Sequence, residues 1–414
     1  MTKKNNNIRP CVIGLGYVGL PIFLRLQKKF NTSGFDIDKD RIQELIVKKD
    51  RNFEYSSGDL VLKHKSQLTF NSNRIQNCNF YIVCVPTPIF KNLEPNLNPI
   101  KSVFNLINKI IKEGDIVMLE STVFPGVTED ICAPILEKNN NFKYNKNFFI
   151  GYSPERINPG DAKHSVDKIK KIIALNTNNK LIIKKVINIY KTITKSIVFS
   201  NHIRESETAK LIENIQRDLN IALMNELLQA CQKLKINFFE VKKLAETKWN
   251  FLKFEPGLVG GHCLPVDPHY LSYITKKNNY LTKIILSGRS VNNNIYKFVE
   301  SNIAKLLKEK KITHKNSRIL IVGLSYKPNV ADMRNSIANK IFKRLNKKCK
   351  YVACLDPVIN QKLNKEKNIF NKINNFKKFD LIVPLVNHTL LRTQIKILIK
   401  KNYPILDIFG FYSN

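Results

Sequence analysis

The feature that most limits the possible folds lies near the start of the sequence. Residues 8–20 read as a strand running into a helix, with Gly14-x-Gly16-x-x-Gly19 at the junction. In such a junction the first glycine makes the turn, the second lets a pyrophosphate approach, and the third packs helix on strand. The helix N-terminus then offers unpaired N–H groups to the phosphates. Pro10 cannot donate to a ladder, so the strand is expected to begin there. A lone GxGxxG says little. Here an apolar-periodic helix follows, and Ser33-Gly34-Phe35-Asp36 puts a carboxylate twenty-two residues after Gly14. That is where an acid holds ribose hydroxyls, and because it repels a 2′-phosphate it favours NAD over NADP. Asp38 competes for the role, and surface solvation is the plain alternative for either acid. Lys3 and Lys4 ahead of the apolar residues 11–20 resemble a secretory signal, but the three spaced glycines and Arg25 argue against one.

The alternation continues. Phe80-Tyr-Ile-Val-Cys-Val85 is a continuous apolar run, as a buried parallel strand requires. Residues 101–112 read as a helix and Ile116-Val-Met-Leu-Glu120 as the next strand. Thr87, Ser121 and Thr122 fall just beyond strand ends, where open α/β sheets bind ligands. On these residues alone, ordinary turn chemistry is the favoured account. Phe148-Phe-Ile150 leads into the polar loop Ser153-Pro154-Glu155-Arg156-Ile157-Asn158-Pro159-Gly160. Between Asp161 and Glu255 there is neither glycine nor proline, and residues 205–235 carry an unbroken helical pattern. A helix of that length spans about 45 Å. Lys210 and Asn214 share one of its faces, either as a solvated polar stripe or as a cation and an amide aimed at a developing oxyanion.

After that helix comes Gly257-Leu-Val-Gly260-Gly261-His262-Cys263-Leu-Pro265-Val-Asp267-Pro268. Two glycines let the chain turn sharply and place Cys263 at the tip. A thiolate beside a nicotinamide cofactor can trap an aldehyde and carry it on as a thioester. A single cysteine is also often a small buried hydrophobe, and Asp267-Pro268 has the form of a helix start. Gly288-Arg289 lies on a further helix, residues 309–317 read as a basic linker, and the α/β alternation then restarts. Residues 318–323, 350–356, 380–383 and 405–408 read as strands, with the third ending before Pro384, and 336–346 and 389–400 as helices. This second layer has one glycine in place of three, with Ser325-Tyr326-Lys327-Pro328 where a phosphate loop would stand. Lys327 there can hold phosphate charge or simply be exposed.

The chain has 414 residues and a net charge of +36. The lysines are scattered through every segment without a basic block interleaved with aromatics, so nucleic acid is not the expected partner; the charge can steer anionic substrates. No apolar run is long enough to span a bilayer. The eight cysteines form no Cys-x-x-Cys pair, and the seven histidines complete no zinc spacing, so no metal is expected. Free thiols in a reducing cytoplasm follow as the expectation.

Taken together, the ordered motifs GLGYVGLP, VPTP, STVFPG, SPERINPGD, AKLIEN, GGHCLPVDP and YKPNVADMRNS resemble the UDP-glucose/GDP-mannose dehydrogenases, from about residue 8 to about 410. The resemblance implies two Rossmann-like doubly wound parallel-sheet domains (1–200 and 309–414) joined by a helical middle domain, 201–308, with a long central helix. It implies NAD lining by Gly14, Gly16, Tyr17, Val18, Gly19, Asp36, Arg41, Thr87 and Thr122, and Arg334 reaching NAD across a homodimer boundary. It implies Cys263 as the nucleophile of a four-electron oxidation, Lys210 and Asn214 as oxyanion stabilisers, Asp267 and Thr122 as proton handlers, and Glu155 in hydrolysis. Glu155, Arg156, Lys210, Asn214, Gly260, Arg289, Tyr326 and Lys327 would meet a UDP-sugar. SPERINPGD and TKWNFLKFEPGLVGGHC are similar to the UDP-N-acetylhexosamine branch of polysaccharide biosynthesis, where the UDP-glucose branch has an aromatic after Pro-Glu. Leu264-Pro265, His269 and Gln216 depart from that branch's pattern.

Overall fold

A computed structural model describes residues 8–52, 54–63, 65–138, 141–156, 168–359 and 368–412. By packing, the chain divides into two compact units: residues 1–213 with 269–279, and residues 214–268 with 280–414.

The first unit opens with β1 (Pro10–Ile13), α1 (Gly19–Leu26), β2 (Ser33–Phe35), α2 (Lys39–Ile46), β3 (Gln67–Thr69) and β4 (Phe80–Val83). It continues with α3 (Asn98–Asn108), β5 (Ile116–Leu119), α4 (Ala133–Glu137), β6 (Phe149–Tyr152), β7 (Lys170–Ala174), α5 (Lys180–Tyr190) and β8 (Ser196–Ser200). The strands form one sheet in the order β3-β2-β1-β4-β5-β6-β7-β8. All described pairings are parallel except β6 with β7. The two-sided burial that a parallel sheet demands is visible in β1, β4 and β5, whose residues are all buried and apolar but for the Tyr81 hydroxyl, which donates to the Cys78 carbonyl at 2.9 Å. Helix α3 starts at Asn98 rather than 101, because Pro99 takes a first-turn position where a missing N–H costs nothing.

Helix α6 (Ile203–Lys233) is unbroken over 31 residues; its residues up to Glu213 belong to the first unit and the rest to the second. The second unit adds α7 (Phe238–Ala245) and the start of α8 (Asp267–Lys277), then α9 (Lys283–Glu309), β9 (Arg318–Val322), α10 (Ile337–Asn346) and β10 (Tyr351–Leu355). The chain ends with β11 (Ile369–Phe370), β12 (Leu381–Pro384) and α11 (Arg392–Lys400). Its four strands are parallel in the order β11-β10-β9-β12. Met224 and Leu228 of α6 and Ile295, Val299 and Ile303 of α9 share a core with β9, β10 and α10. Two expectations need correction here. Residues 405–408 make only a bridge, Ile405 to Ile382, because the Asp407 carboxylate takes the N–H groups of Phe411 and Tyr412 and turns the chain. And β12 includes Pro384 as its last residue, where the lost donor falls at the strand end.

Candidate active site

The glycine turn forms as its spacing requires. Gly14 has φ +91°, and a Cβ there would stand 2.7 Å from the Cys84 carbonyl oxygen. A Cβ on Gly19 would lie 1.8 Å from the Gly14 carbonyl, whereas Gly16 faces open space. Val18 stands at the N-cap of α1 without a side-chain cap bond, so the helix end keeps N–H groups for a ligand, and Tyr17 beside it is half-buried. Beyond β2, Asp36 Oδ2 accepts the Leu15 N–H at 2.8 Å, drawing the carboxylate against the turn. Asp38 has a different job. It caps α2 by accepting the Arg41 N–H at 3.1 Å, and that bond, followed by Arg51, holds its carboxyl below the usual range. The buried Arg41 guanidinium donates from Nε to the Leu15 carbonyl at 2.9 Å and pairs with Asp50 at 2.8 Å, while its Nη2 has no partner among the described residues. Thr87, just past β4, is buried, and Thr122, just past β5, is half-buried. A tight turn with one open glycine, a free helix N-terminus, an acid against the turn and an orphaned cationic nitrogen fit a dinucleotide.

At the same carboxyl edge of the sheet sits a fully buried ion cluster. Lys171 of β7 is 0% exposed and reaches Glu120 Oε2 at 2.6 Å and Glu155 Oε2 at 3.1 Å. The Tyr190 hydroxyl donates to Glu120 Oε1 at 2.6 Å, and Glu155 Oε1 accepts the Arg156 N–H at 2.6 Å. Burial raises Glu120 despite Lys171; for Lys171 the two carboxylates outweigh a larger burial penalty and keep the amine protonated. Arg156 itself pairs with Glu213 at 2.6 Å and donates to the Lys170 carbonyl. Ile157, Asn158, Pro159, Gly160 and Asp161, which belong to the same motif, lie outside the described residues. The loop after Thr122 is pinned by Glu207 of α6, which accepts the N–H groups of Gly126 and Thr128 at 2.6 and 3.0 Å and the Thr128 hydroxyl at 2.6 Å. Burial pushes that carboxyl up to about 7 against the pull of its donors. Lys210, one turn further along α6, is buried.

The second unit presents the thiol. Cys263 is exposed, and its carbonyl accepts the N–H groups of Val266 and Asp267 at 3.0 and 2.9 Å, which starts α8. The Asn214 amide donates to the buried Asp267 carboxylate at 2.5 Å. The glycines before the thiol are there for closeness: a Cβ on Gly260 or Gly261 would come within 2.8 Å of Tyr326. Gly261 donates to the Arg334 carbonyl at 2.9 Å and accepts from the Asn335 amide at 2.9 Å. The Cys263 turn is thus seated on the Ser325–Asn335 loop, which also carries Lys327. Arg334 is half-exposed and pairs with Asp332 at 2.6 Å. Arg289 is placed differently from a surface ligand. It is 2% exposed, pairs with Asp218 at 2.5 Å, and so braces α6 against α9, with Nε left without a partner among the described residues. His262 has a buried, unpartnered Nε2 and is held below its ordinary pKa by burial and then by Arg334. Among the described residues no group of three acidic, histidine or cysteine side chains could hold a metal, and no helix is long and apolar enough to cross a membrane.

Glu120, Lys171, Tyr190 and Glu207 were not expected as site residues. Glu120 directly precedes Ser121-Thr122 at the end of an apolar strand, which is a usable signal; Lys171 sits in Lys-Lys-Ile-Ile-Ala with none.

Fold and site together define an oxidoreductase with a dinucleotide domain, a thiol-bearing turn and a second nucleotide-type domain. The NAD binding, central and UDP binding domains of the UDP-glucose/GDP-mannose dehydrogenase family match residues 8–194, 204–294 and 320–414, and the chain belongs to that family of NAD-dependent nucleotide-sugar dehydrogenases. It is 42% identical over 352 residues to the UDP-N-acetyl-D-glucosamine 6-dehydrogenase of Pseudomonas aeruginosa, covering 85% of this chain and 83% of that one. It is 39% identical to the enzyme of the same name from Salmonella typhi, covering 92% and 90%. The structure of the UDP-D-ManNAc dehydrogenase of Pyrococcus horikoshii superposes with TM-score 0.84 at 26% identity, covering 95% and 93%.

Proposed function

We propose that the chain oxidises the C6 alcohol of a UDP-N-acetylhexosamine, of the glucosamine or galactosamine type, to the uronate, with two NAD and one water per sugar. The observation that carries this reading is the exposed Cys263 on a turn whose glycines admit Tyr326, with Asp267 and Asn214 hydrogen-bonded beside it. NAD supplies the hydride acceptor for both oxidations. Asp267 and Thr122 take the alcohol proton through an ordered water. The Cys263 thiolate then adds to the aldehyde carbon, and its oxyanion is met by Lys210 and by the second amide hydrogen of Asn214, the first being held by Asp267. The thioester that results is opened by water with Glu155 assisting; the C–S bond breaks and the thiolate returns. A cation brought beside the thiol would also raise the thiolate fraction, and Lys210 is the residue assigned to that part.

Gly260, Tyr326 and Lys327 are assigned to the sugar nucleotide, together with Arg156 and with Arg289, which would act from behind through the helices it braces. The names of the Pseudomonas and Salmonella relatives support the acetamido sugar. The Pyrococcus structure supports the manno epimer as a second reading. A homodimer fits the apolar Ile212, Leu223 and Leu227 left exposed along α6, with Arg334 reaching NAD on the partner. The enzyme would work in the cytoplasm, in surface polysaccharide synthesis.

The test is NADH release from a panel of UDP-sugars. Two NADH per acetamido sugar are expected from the wild type, and Cys263→Ala should form no uronate at steady state. Wild-type yield from Cys263→Ala removes the reading. A much higher kcat/KM for UDP-glucose removes the acetamido assignment and leaves the family standing.

A further inference from the structure

We propose that Lys171 and Glu120 are positioning residues for Glu155: Lys171 fixes the carboxylate in one orientation, and Glu120 keeps Lys171 from weakening it as a base. The inference rests on the role given to Glu155 above.

The geometry is a chain of three side chains, each at most 7% exposed: Glu120, Lys171 and Glu155. Lys171 binds Glu120 at 2.6 Å and Glu155 at 3.1 Å, so the shorter and fully buried pair is the one with Glu120. Tyr190 closes the far end by donating to Glu120 at 2.6 Å. Among the described residues, the other titratable or charged groups facing the cluster are Cys84, just past β4, which burial keeps as the thiol, and Arg156, which is turned to Glu213. Two carboxylates and one ammonium leave the dry cluster one charge negative. When Glu155 takes a proton from the attacking water, what remains is a neutral Glu120–Lys171 pair. A lone Lys171–Glu155 pair would do the reverse, because protonating Glu155 would strand a cation in the core. Glu120 therefore lets a carboxylate be held by a lysine and still accept a proton.

Neighbouring substitutions should then move the pH profile in opposite directions, which a purely structural role would not do. The quantity to follow is the rate of acyl-enzyme breakdown, read by rapid quench and intact-protein mass spectrometry across pH. Glu120→Gln leaves Lys171 to Glu155 alone, so the acid limb should move down by about one pH unit and the plateau fall about tenfold. Tyr190→Phe keeps the ring and removes one donor to Glu120; it should shift the limb the same way by less, with little change in melting temperature. Lys171→Met leaves two carboxylates together, and the limb should move up by about one unit or more. Unshifted profiles for both Glu120→Gln and Tyr190→Phe overturn the proposal, as does a shift of Lys171→Met in the same direction as Glu120→Gln. Cys263→Ala run alongside separates the two levels: if it is inert while those profiles stay unshifted, only the buried trio loses its role.

Discussion

The two sheets of this chain repeat one device with opposite outcomes. After β1, Gly14 at φ +91° is followed by Leu15, whose N–H goes to Asp36 at the end of β2. After β9, Gly323 at φ +90° is followed by Leu324, whose N–H goes to Asp356 at the end of β10, also at 2.8 Å. In the first unit the acid stays half-exposed and the neighbouring Gly16 is open. In the second, Asp356 is 0% exposed and takes further N–H groups from Ser325 and Val358, with His388 Nε2 at 3.2 Å. The same turn is left open in one unit and plugged in the other. A plugged acid cannot grip a ribose, but it can hold the Ser325–Asn335 loop that supports the Cys263 turn. One copy of the device is left open and the other is filled to hold a loop.

The largest test of this contrast uses the glycines. Gly14→Ala forces a Cβ to 2.7 Å from a carbonyl oxygen in a left-handed conformation, and Gly323→Ala forces one to 2.4 Å from Val386. Each should cost about 2–4 kcal/mol of stability. Calorimetric NAD titration of the folded fraction should show affinity lost in Gly14→Ala and kept in Gly323→Ala. Equal losses would mean that the second turn also faces the dinucleotide.

Next come the acids. Asp356→Asn should lower stability by about 3 kcal/mol in denaturant melts, since it breaks a buried, hydrogen-bonded pair. Asp36→Asn should leave melting almost unchanged and narrow the NAD-over-NADP ratio in kcat/KM by about tenfold or more. An unchanged cofactor ratio would take the ribose away from Asp36.

The pH dependence of stability should differ as well. Burial opposes the Asp356 charge, but His388 and the backbone donors win and hold its carboxyl below the usual range. Its contribution is therefore present above the ordinary aspartate pKa and is lost only as pH falls below about 4. Glu207 has the other sign. With its carboxyl raised to about 7, it favours the folded state at low pH, and that contribution, about 3 kcal/mol at most, fades as pH climbs from about 4.5 to 7. Glu207→Gln should accordingly flatten the melting curve across that range, gaining most on the alkaline side. A variant whose melting temperature keeps the wild-type slope would show that Glu207 is not the group responsible.

The smallest effect concerns His388. His388→Gln should raise KM for the UDP-sugar a few-fold through the loop while KM for NAD holds; both rising together would undo the assignment of the plug to the loop.

What could be read from the sequence follows the physics of each element. Strands β1, β4, β5, β10 and β12, and β9 after its exposed Arg318, are buried on both faces and spell nearly continuous apolar runs, so they were legible. Residues 168–200 hold β7, α5 and β8, none of which the sequence pattern assigns. Strand β7 begins with two lysines, one exposed and one fully buried. The partners that make burial of Lys171 tolerable stand 51 and 16 residues away, which no local pattern reveals. The turn at Gly260–Gly261 and the helix that carries Lys210 and Asn214 were legible because turn and helix spacing alone place them, whereas the roles given to these residues come from the family resemblance. Arg289 was read as a ligand group, and its tie to Asp218, 71 residues earlier, could be seen only in three dimensions. The same holds for the pairing of Gly323 with Asp356, where no Gly-x-Gly marks the repeat.

The ring of His388 accepts the Asn329 N–H at its Nδ1, at 3.1 Å. Its one remaining proton must then sit on Nε2, facing Asp356 and the Ser325 hydroxyl in a spot with no solvent access. Such an imidazole proton should exchange slowly with water and stand apart, far downfield, in a proton NMR spectrum. It would give the molecule a built-in reporter, a single resonance that broadens or moves whenever the Ser325–Asn335 loop is disturbed by a sugar nucleotide, with no label attached to the protein.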